Sequence, residues 1–245
     1  MTGKRIDIHL VESGLFASRA KAREAIEAGL VICNGALALK PSQLVSASDS
    51  VTASAPYSWV SRGGVKLAGA LDAFDIDPQG LVCLDAGAST GGFSDVLLAR
   101  GAAKIYCVDS GRGQLHAKIA NDPRVVAMEQ TDLRSLHAAS FTPQPSLAVC
   151  DVSFISLKLV LPAIFSCLMP EARVIALIKP QFEAGPENVA KGIVRNAAVR
   201  ERVCKSITGF FESHHWRVEG LMESPVTGGH GNVEFLINCA RKQTT

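Results

Sequence analysis

The chain has 245 residues, 47% of them hydrophobic and 20% charged, with a net charge of +2 at pH 7. That balance predicts a soluble globular protein of one or two domains and excludes a global field that could steer a polyanion, so any nucleic-acid site has to be a local basic patch. Seven cysteines, an odd number with no C-x-x-C pair and no metal-ligand spacing, speak against a disulfide framework and a metal site and predict a reducing cytoplasm.

Met1 to Asp7 lacks the apolar stretch of a signal peptide. The most apolar window, Leu157 to Met169, is interrupted by Lys158 and Pro162, so no membrane role is expected. In chain order, Ile6, Leu10 and Val11 space out a short helix closed by Gly14. Ser18 offers an N-cap for a second helix, in which Ala22, Ala25, Ile26 and Gly29 follow the i, i+3, i+4, i+7 pattern. Leu30–Cys33 and Ala36–Leu39 flank Asn34-Gly35, a hairpin turn. Arg19, Lys21 and Arg23 crowd the start of the second helix, where cations oppose the macrodipole; they suit either a phosphate or a solvated, ion-paired face.

Arg5-x-Asp7-x-x-Leu10, Ser18-Arg19-x-x-Ala22, Ile26-x-x-Gly29-x-Val31-x-x-Asn34-Gly35 and Lys40-Pro41 resemble the S4-like RNA-binding domain. The resemblance implies an α+β domain over 1–56 that grips structured RNA, with Arg5, Arg19, Lys21, Arg23 and Lys40 as backbone contacts. Residues 57–60 read as a linker, with Trp59 packed at the joint, and 61–245 as a second domain.

That second domain alternates strands and helices. Strands are expected near 81–85, 104–108, 124–128, 146–150, 173–178, 216–222 and 233–238; helices are expected over 65–75, 92–100, 113–120, 156–168 and 196–213. The near-continuous apolar strands predict a doubly wound, mostly parallel seven-stranded Rossmann-like α/β sheet. Ligands of such sheets lie beyond the strand carboxyl ends. The first strand runs into Asp85-x-Gly87-x-Ser89-x-Gly91-Gly92-Phe93, similar to a dinucleotide fingerprint but with Ser89 at the central glycine. Asp109 closes the next strand, where an acid can hold both ribose hydroxyls, and Asp132 ends the third strand region, within reach of an adenine amino group. NAD and S-adenosylmethionine both fit these features.

Lys66, Asp151, Lys179 and Glu234 form the candidate reaction centre: Asp151 and Lys179 terminate neighbouring strands, Glu234 is expected in the last strand, and Lys66 opens a helix. Singly, each reads as well as an ion pair or a solvated charge. Together they have a chemical use, because a partly desolvated lysine beside a second cation can serve as base toward a ribose hydroxyl.

This Lys-Asp-Lys-Glu order resembles ribose 2′-O-methyltransferases of the FtsJ (RrmJ) type. Val60-Ser61-Arg62-Gly63-Gly64-x-Lys66-Leu67, Leu84-Asp85-Ala86-Gly87-Ala88-Ser89-Thr90-Gly91-Gly92-Phe93, Asp151-Val152-Ser153-Phe154-Ile155-Ser156-Leu157, Lys179-Pro180-Gln181-Phe182-Glu183 and Gly231-Asn232-Val233-Glu234-Phe235 are similar to the TlyA family over nearly the whole chain. The resemblance implies S-adenosylmethionine-dependent 2′-O-methylation of a cytidine in ribosomal RNA, with Lys179 as base and a ribosomal subunit as partner. Short termini suggest the type restricted to large-subunit RNA. The residues Gln181 to Arg195 read as a lid or a surface loop, in which Lys191 and Arg195 could meet RNA phosphates. The competing readings are a non-catalytic RNA-binding assembly factor, a haemolysin, as the family is often labelled, and an NAD-dependent oxidoreductase.

Overall fold

A computed structural model describes residues 3–242 except Ala17, Ala47 and Pro56; the predicted domain boundary at Pro56 and the two chain ends lie outside the described residues. The chain divides into two compact units, 1–58 and 59–245.

In the first unit, β1 (Lys4–Arg5), α1 (Ile6–Glu12) and α2 (Arg19–Glu27) precede β2 (Val31–Cys33), β3 (Ala36–Leu37), β4 (Leu44–Val45) and β5 (Val51–Ala53). The Ser18 side chain accepts from the Lys21 N–H, as an N-cap should. Asn34 and Gly35 both have positive φ, 50° and 80°, the backbone that a two-residue hairpin turn requires. Ile6, Leu10, Ala22, Ala25, Ile26 and Val31 converge from both helices and β2 on a small buried core.

The second unit opens with α3 (Gly63–Ala73) and continues through β6 (Val82–Ala86), α4 (Gly92–Ala99), β7 (Lys104–Val108), α5 (Ala117–Ala120), β8 (Val125–Met128) and β9 (Leu147–Cys150). It ends with α6 (Leu157–Cys167), β10 (Arg173–Ile178), α7 (Pro180–Glu183), α8 (Ala197–Ser213), β11 (Trp216–Glu223) and β12 (Phe235–Arg241). Seven strands form one sheet in the order β11-β12-β10-β9-β6-β7-β8; β6 to β10 are parallel and β12 runs antiparallel between β10 and β11. Alternate residues of each central strand serve opposite faces. Val174, Ala176 and Ile178 join a core with α6 and α8, whereas Ile175 and Leu177 join one with α3 and α4. Burial on both faces is why these strands read as apolar runs.

Two expectations differ from the structure. The helix predicted over 113–120 shrinks to Ala117–Ala120: Gly113 takes φ 62°, outside the helical region, and His116 is extended and caps the helix, while the Glu129 carboxylate accepts the N–H groups of Gly113, Gln114 and Leu115. Glu234, expected inside the last strand, lies one residue before it, since both ladders of β12 stop at Phe235, paired with Glu223 and with Ile178.

One buried acid ties the start of the unit to α4. Asp95, 2% exposed, accepts the buried Val60 N–H at 2.8 Å and the Lys118 Nζ at 2.7 Å. Lys118 is largely exposed, so its pair is worth at most about 1 kcal/mol, while an orphaned buried N–H costs about 1–3 kcal/mol. Asp95→Ala is therefore expected to lower unfolding stability by about 1–3 kcal/mol in urea titrations, and Lys118→Ala by less than about 1 kcal/mol.

Candidate active site

Strand order reverses between β6 and β9, so their carboxyl ends diverge over a crevice. A cavity of about 470 Å³ opens there, lined by Gly87, Ser89, Asp109, Gln114, Asp132, Asp151, Ser153, Phe154 and Ile155 among others. The turn after β6 is built around Gly87, at φ 87°. A Cβ on it would stand 2.5 Å from the Asp151 carbonyl oxygen, so the turn and the end of β9 meet backbone to backbone. Ser89 adopts φ 46°, donates its N–H to Asp109 Oδ2 at 2.8 Å and its Oγ to Gln114 at 3.2 Å. Asp109 also accepts the Gly111 N–H at 2.7 Å. A carboxylate offers about four lone-pair sites, so two remain for a ligand's hydroxyls.

The other predicted cofactor residues divide. Asp132 lines the cavity, but it is gripped by Arg134 at 2.6 Å and caps the Leu133–Ser135 turn; those bonds hold its carboxyl down at about 2. Asp85, Gly91, Gly92 and Phe93 are off the cavity surface. Gly91 backs onto Leu115 and Ile119, Gly92 onto Ser61, and Phe93 is part of the core. Asp85 is wholly buried and accepts both the N–H and the Oγ of Ser94, at 3.0 and 2.6 Å, which fastens α4 to the end of β6. Burial, with the negative charges of Asp151 and Asp109, pushes its carboxyl up to about 7.

The four candidate reaction-centre residues form two tight pairs at one sheet edge. Cys150 of β9 is level with Ala176 of β10, and Ile178 of β10 with Phe235 of β12, so Asp151, Lys179 and Glu234 leave three adjacent strands side by side. Lys179 Nζ lies 2.6 Å from Asp151 Oδ1 and donates to Ser153 Oγ at 2.7 Å. Lys66, in the first turn of α3, donates to Glu234 Oε2 at 2.6 Å, and both are almost sealed from water. Gln181 Nε2 reaches Glu234 Oε1 at 3.3 Å and so bridges from the Lys179 segment to the second pair.

Ser153, Phe154, Gln114 and Gln181 escaped residue-level reading, although three of them lie inside quoted motifs. Phe154 is the most conspicuous: 91% exposed, at φ 63°, with its ring 5.1 Å from that of Phe182, which lies under Lys179 Nζ. In the first unit, Asp7 is fully buried and binds the guanidinium groups of both Arg5 and Arg19 at about 3.0 Å, whereas Lys21, Arg23 and Lys40 carry no ion pair among the described residues. Among the described residues no helix is long and apolar enough to cross a membrane, and no three His, Cys, Asp or Glu side chains converge as metal ligands.

A doubly wound sheet with a glycine turn, an acid after the second strand and ion pairs at the carboxyl edge has the form of a nucleoside-cofactor enzyme, and the family match makes it a methyltransferase. The chain belongs to the FtsJ-like methyltransferase family, whose pattern matches residues 59–241, and an S4 domain matches residues 4–51. It is 44% identical over 236 residues to the 16S/23S rRNA (cytidine-2′-O)-methyltransferase TlyA of Mycobacterium tuberculosis, covering 95% of this chain and 88% of that protein. It is 34% identical over 181 residues to the 23S rRNA (cytidine-2′-O)-methyltransferase TlyA of Campylobacter jejuni, covering 73% and 69%. A solved structure described as a hemolysin from Streptococcus thermophilus superposes with a TM-score of 0.80 at 41% identity, over 100% of this chain and 90% of that one. The protein is a methyltransferase and S-adenosylmethionine is its methyl donor. The cavity suits that cofactor: its volume is in the range for small-ligand sites, Asp109 has acceptor capacity for a ribose diol, and Leu133, Val152, Ile155 and Val160 supply apolar walls for a base.

The buried acid gives a pH test. Folded Asp85 keeps its proton up to about pH 7, while in the unfolded chain it ionises in the ordinary carboxylate range. Between those limits the native state binds more protons, so stability falls as pH rises through the window and levels off above it. Asp85→Asn removes this slope: its stability relative to the parent is expected to improve by up to about 4 kcal/mol from pH 4 to pH 8 in denaturant titrations.

Proposed function

We propose that the protein methylates the 2′-hydroxyl of a cytidine ribose in ribosomal RNA, in the cytoplasm, with Lys179 as general base. The observation that carries this reading is the convergence of the Lys66–Glu234 and Lys179–Asp151 pairs at one edge of the sheet, with Asp151 and Ser153 shared between the cofactor cavity and Lys179. The names of both TlyA relatives include 23S rRNA, which supports the large-subunit RNA as the target.

When bound, S-adenosylmethionine supplies a methyl group already activated by a sulfonium, so the chain's own task is to position a weak nucleophile and take its proton. Asp109 and the backbone at Gly87 and Ser89 would hold the adenosine and orient the cofactor. Lys179 accepts the 2′-hydroxyl proton; Asp151 and Ser153 fix the direction of its Nζ. Lys66, locked to Glu234, orients the ribose, and Gln181 keeps the two pairs in register. Phe154 presents an aromatic face beside Lys179, suited to stacking on a base. In the S4 unit, Arg5, Arg19, Lys21, Arg23 and Lys40 supply the local positive charge that a net +2 chain does not supply globally.

Transfer of labelled methyl from S-adenosylmethionine to 23S rRNA or to the large subunit tests this. Lys179→Ala is expected to lower single-turnover transfer by about 10²–10⁴-fold, while calorimetric affinity for the cofactor changes little. Equal transfer by variant and parent, or a labelled position other than a ribose 2′-oxygen, overturns the assignment.

A further inference from the structure

Two non-glycine residues with left-handed backbone stand on neighbouring loops next to the Lys66–Glu234 pair. Lys191, at φ 50°, and Gly192, at φ 77°, are the corners of a two-residue turn closed by the Ala190↔Ile193 bridge, whose two N–H···O bonds are 3.0 Å. His230, at φ 59°, sits in the Gly229–Gly231 turn. A two-residue turn with positive φ at both corners favours Asn, Asp or Gly at the first. A lysine there is held against its own backbone preference, and strain of that kind persists only where the surroundings over-determine it.

One buried side chain does so. Asn232, 3% exposed, donates Nδ2 to the Gly192 carbonyl at 2.8 Å and to the Gly229 carbonyl at 3.0 Å, and its Oδ1 accepts the Val194 N–H at 3.2 Å. Both loops therefore hang on one amide. The turn they form with it lies directly on the reaction centre: a Cβ on Gly228 would come 2.0 Å from Glu234 Oε1. Lys191, Arg195 and His230 are exposed, and Lys191 and Arg195 have no ion pair among the described residues.

We propose that the Lys191–Arg195 segment is a phosphate clamp for the RNA strand that carries the target ribose, and that Asn232 is the positioning residue that sets it beside the Lys66–Glu234 pair. The proposal rests on the reading of the site as an RNA ribose methyltransferase. A polyanionic strand is the partner that unpaired, exposed cations at a catalytic edge recognise. Holding the lysine on a rigid turn lowers the ordering cost of that contact.

Lys191→Gly relieves the backbone strain and removes the charge. It is expected to raise the Tm while weakening binding to the ribosomal RNA substrate roughly fivefold at about 0.1 M salt, and to reduce the slope of log K against log salt by about 0.7–0.9. In turnover it raises KM by more than it lowers kcat. Asn232→Ala, which releases the whole segment, is expected to lose at least that much slope, and Lys191→Gly added to it to lose nothing more. Parental affinity and slope in Lys191→Gly, or losses that simply add, overturn the proposal. Should Asn232→Ala fail to fold, Lys191→Gly and Arg195→Gln decide it, each losing about one phosphate contact in the slope. Failure of the methyltransferase reading is distinct, because then the parent protein transfers no methyl to ribosomal RNA.

Discussion

The Lys66–Glu234 ion pair is the contact on which the geometry of the candidate reaction centre depends. It joins residues 168 positions apart, and Glu234 is 2% exposed. Taking two charges out of water costs several kcal/mol per ion, which their attraction only offsets when the geometry is good and the remaining valences are filled. Such a pair is a poor device for stability and a good one for location. It fixes the first turn of α3 to the residue before β12, and the second Glu234 oxygen receives Gln181, two residues after Lys179. One carboxylate thereby references both lysines. Removing it would strand a nearly buried ammonium, so the pair stands or falls as a unit.

The sheet supplies the rest of the alignment in two halves. Strands β6 to β8 end on the groups suited to a nucleoside, namely the glycine turn, Asp109 and Asp132, whereas β9, β10 and β12 end on Asp151, Lys179 and Glu234. The halves touch where Gly87 lies against the Asp151 carbonyl, a contact no side chain at 87 would permit. That contact couples the position of the cofactor turn to the position of the acid that holds Lys179. Asp85 stabilises the same junction from beneath through Ser94, without reaching the cavity.

Strand positions were legible because burial on both faces writes an unbroken apolar run, and the acids were legible because each ends such a run. Register was the step that sequence could not supply. Lys179 and Glu234 become neighbours only through the antiparallel pairing of β10 with β12, fixed at Ile178↔Phe235 across a long separation. A glycine is demanded by any close approach, and Gly91 and Gly92 stand against Ile119, Leu115 and Ser61, a packing role that the motif alone does not reveal. Asp85 carries the same lesson, since an acid at a strand end can point down into helix packing as well as up into a cavity. The helix expected over 113–120 begins late because Gly113 turns left-handed and His116 is extended, a local backbone choice that the apolar spacing does not encode.

Charge placement in the S4 unit follows the same economy as at the catalytic edge. Arg19 opens α2, where the helix dipole disfavours a cation, and Arg5 precedes α1; the buried Asp7 carboxylate takes both and is itself held down at about 2 by them. One negative charge against two guanidinium groups leaves a single net positive charge, yet both groups remain partly exposed, at 39% and 55%. An arginine so anchored has lost its rotamer freedom before any ligand arrives, and its free N–H groups form a rigid fork matched to a phosphate. A chain of net charge +2 has little long-range attraction for a polyanion, which would meet positive charge here only as local, pre-ordered groups of this kind. The buried acids Asp7 and Glu234 thus do one job in two units: each surrenders hydration to hold cations in a fixed place.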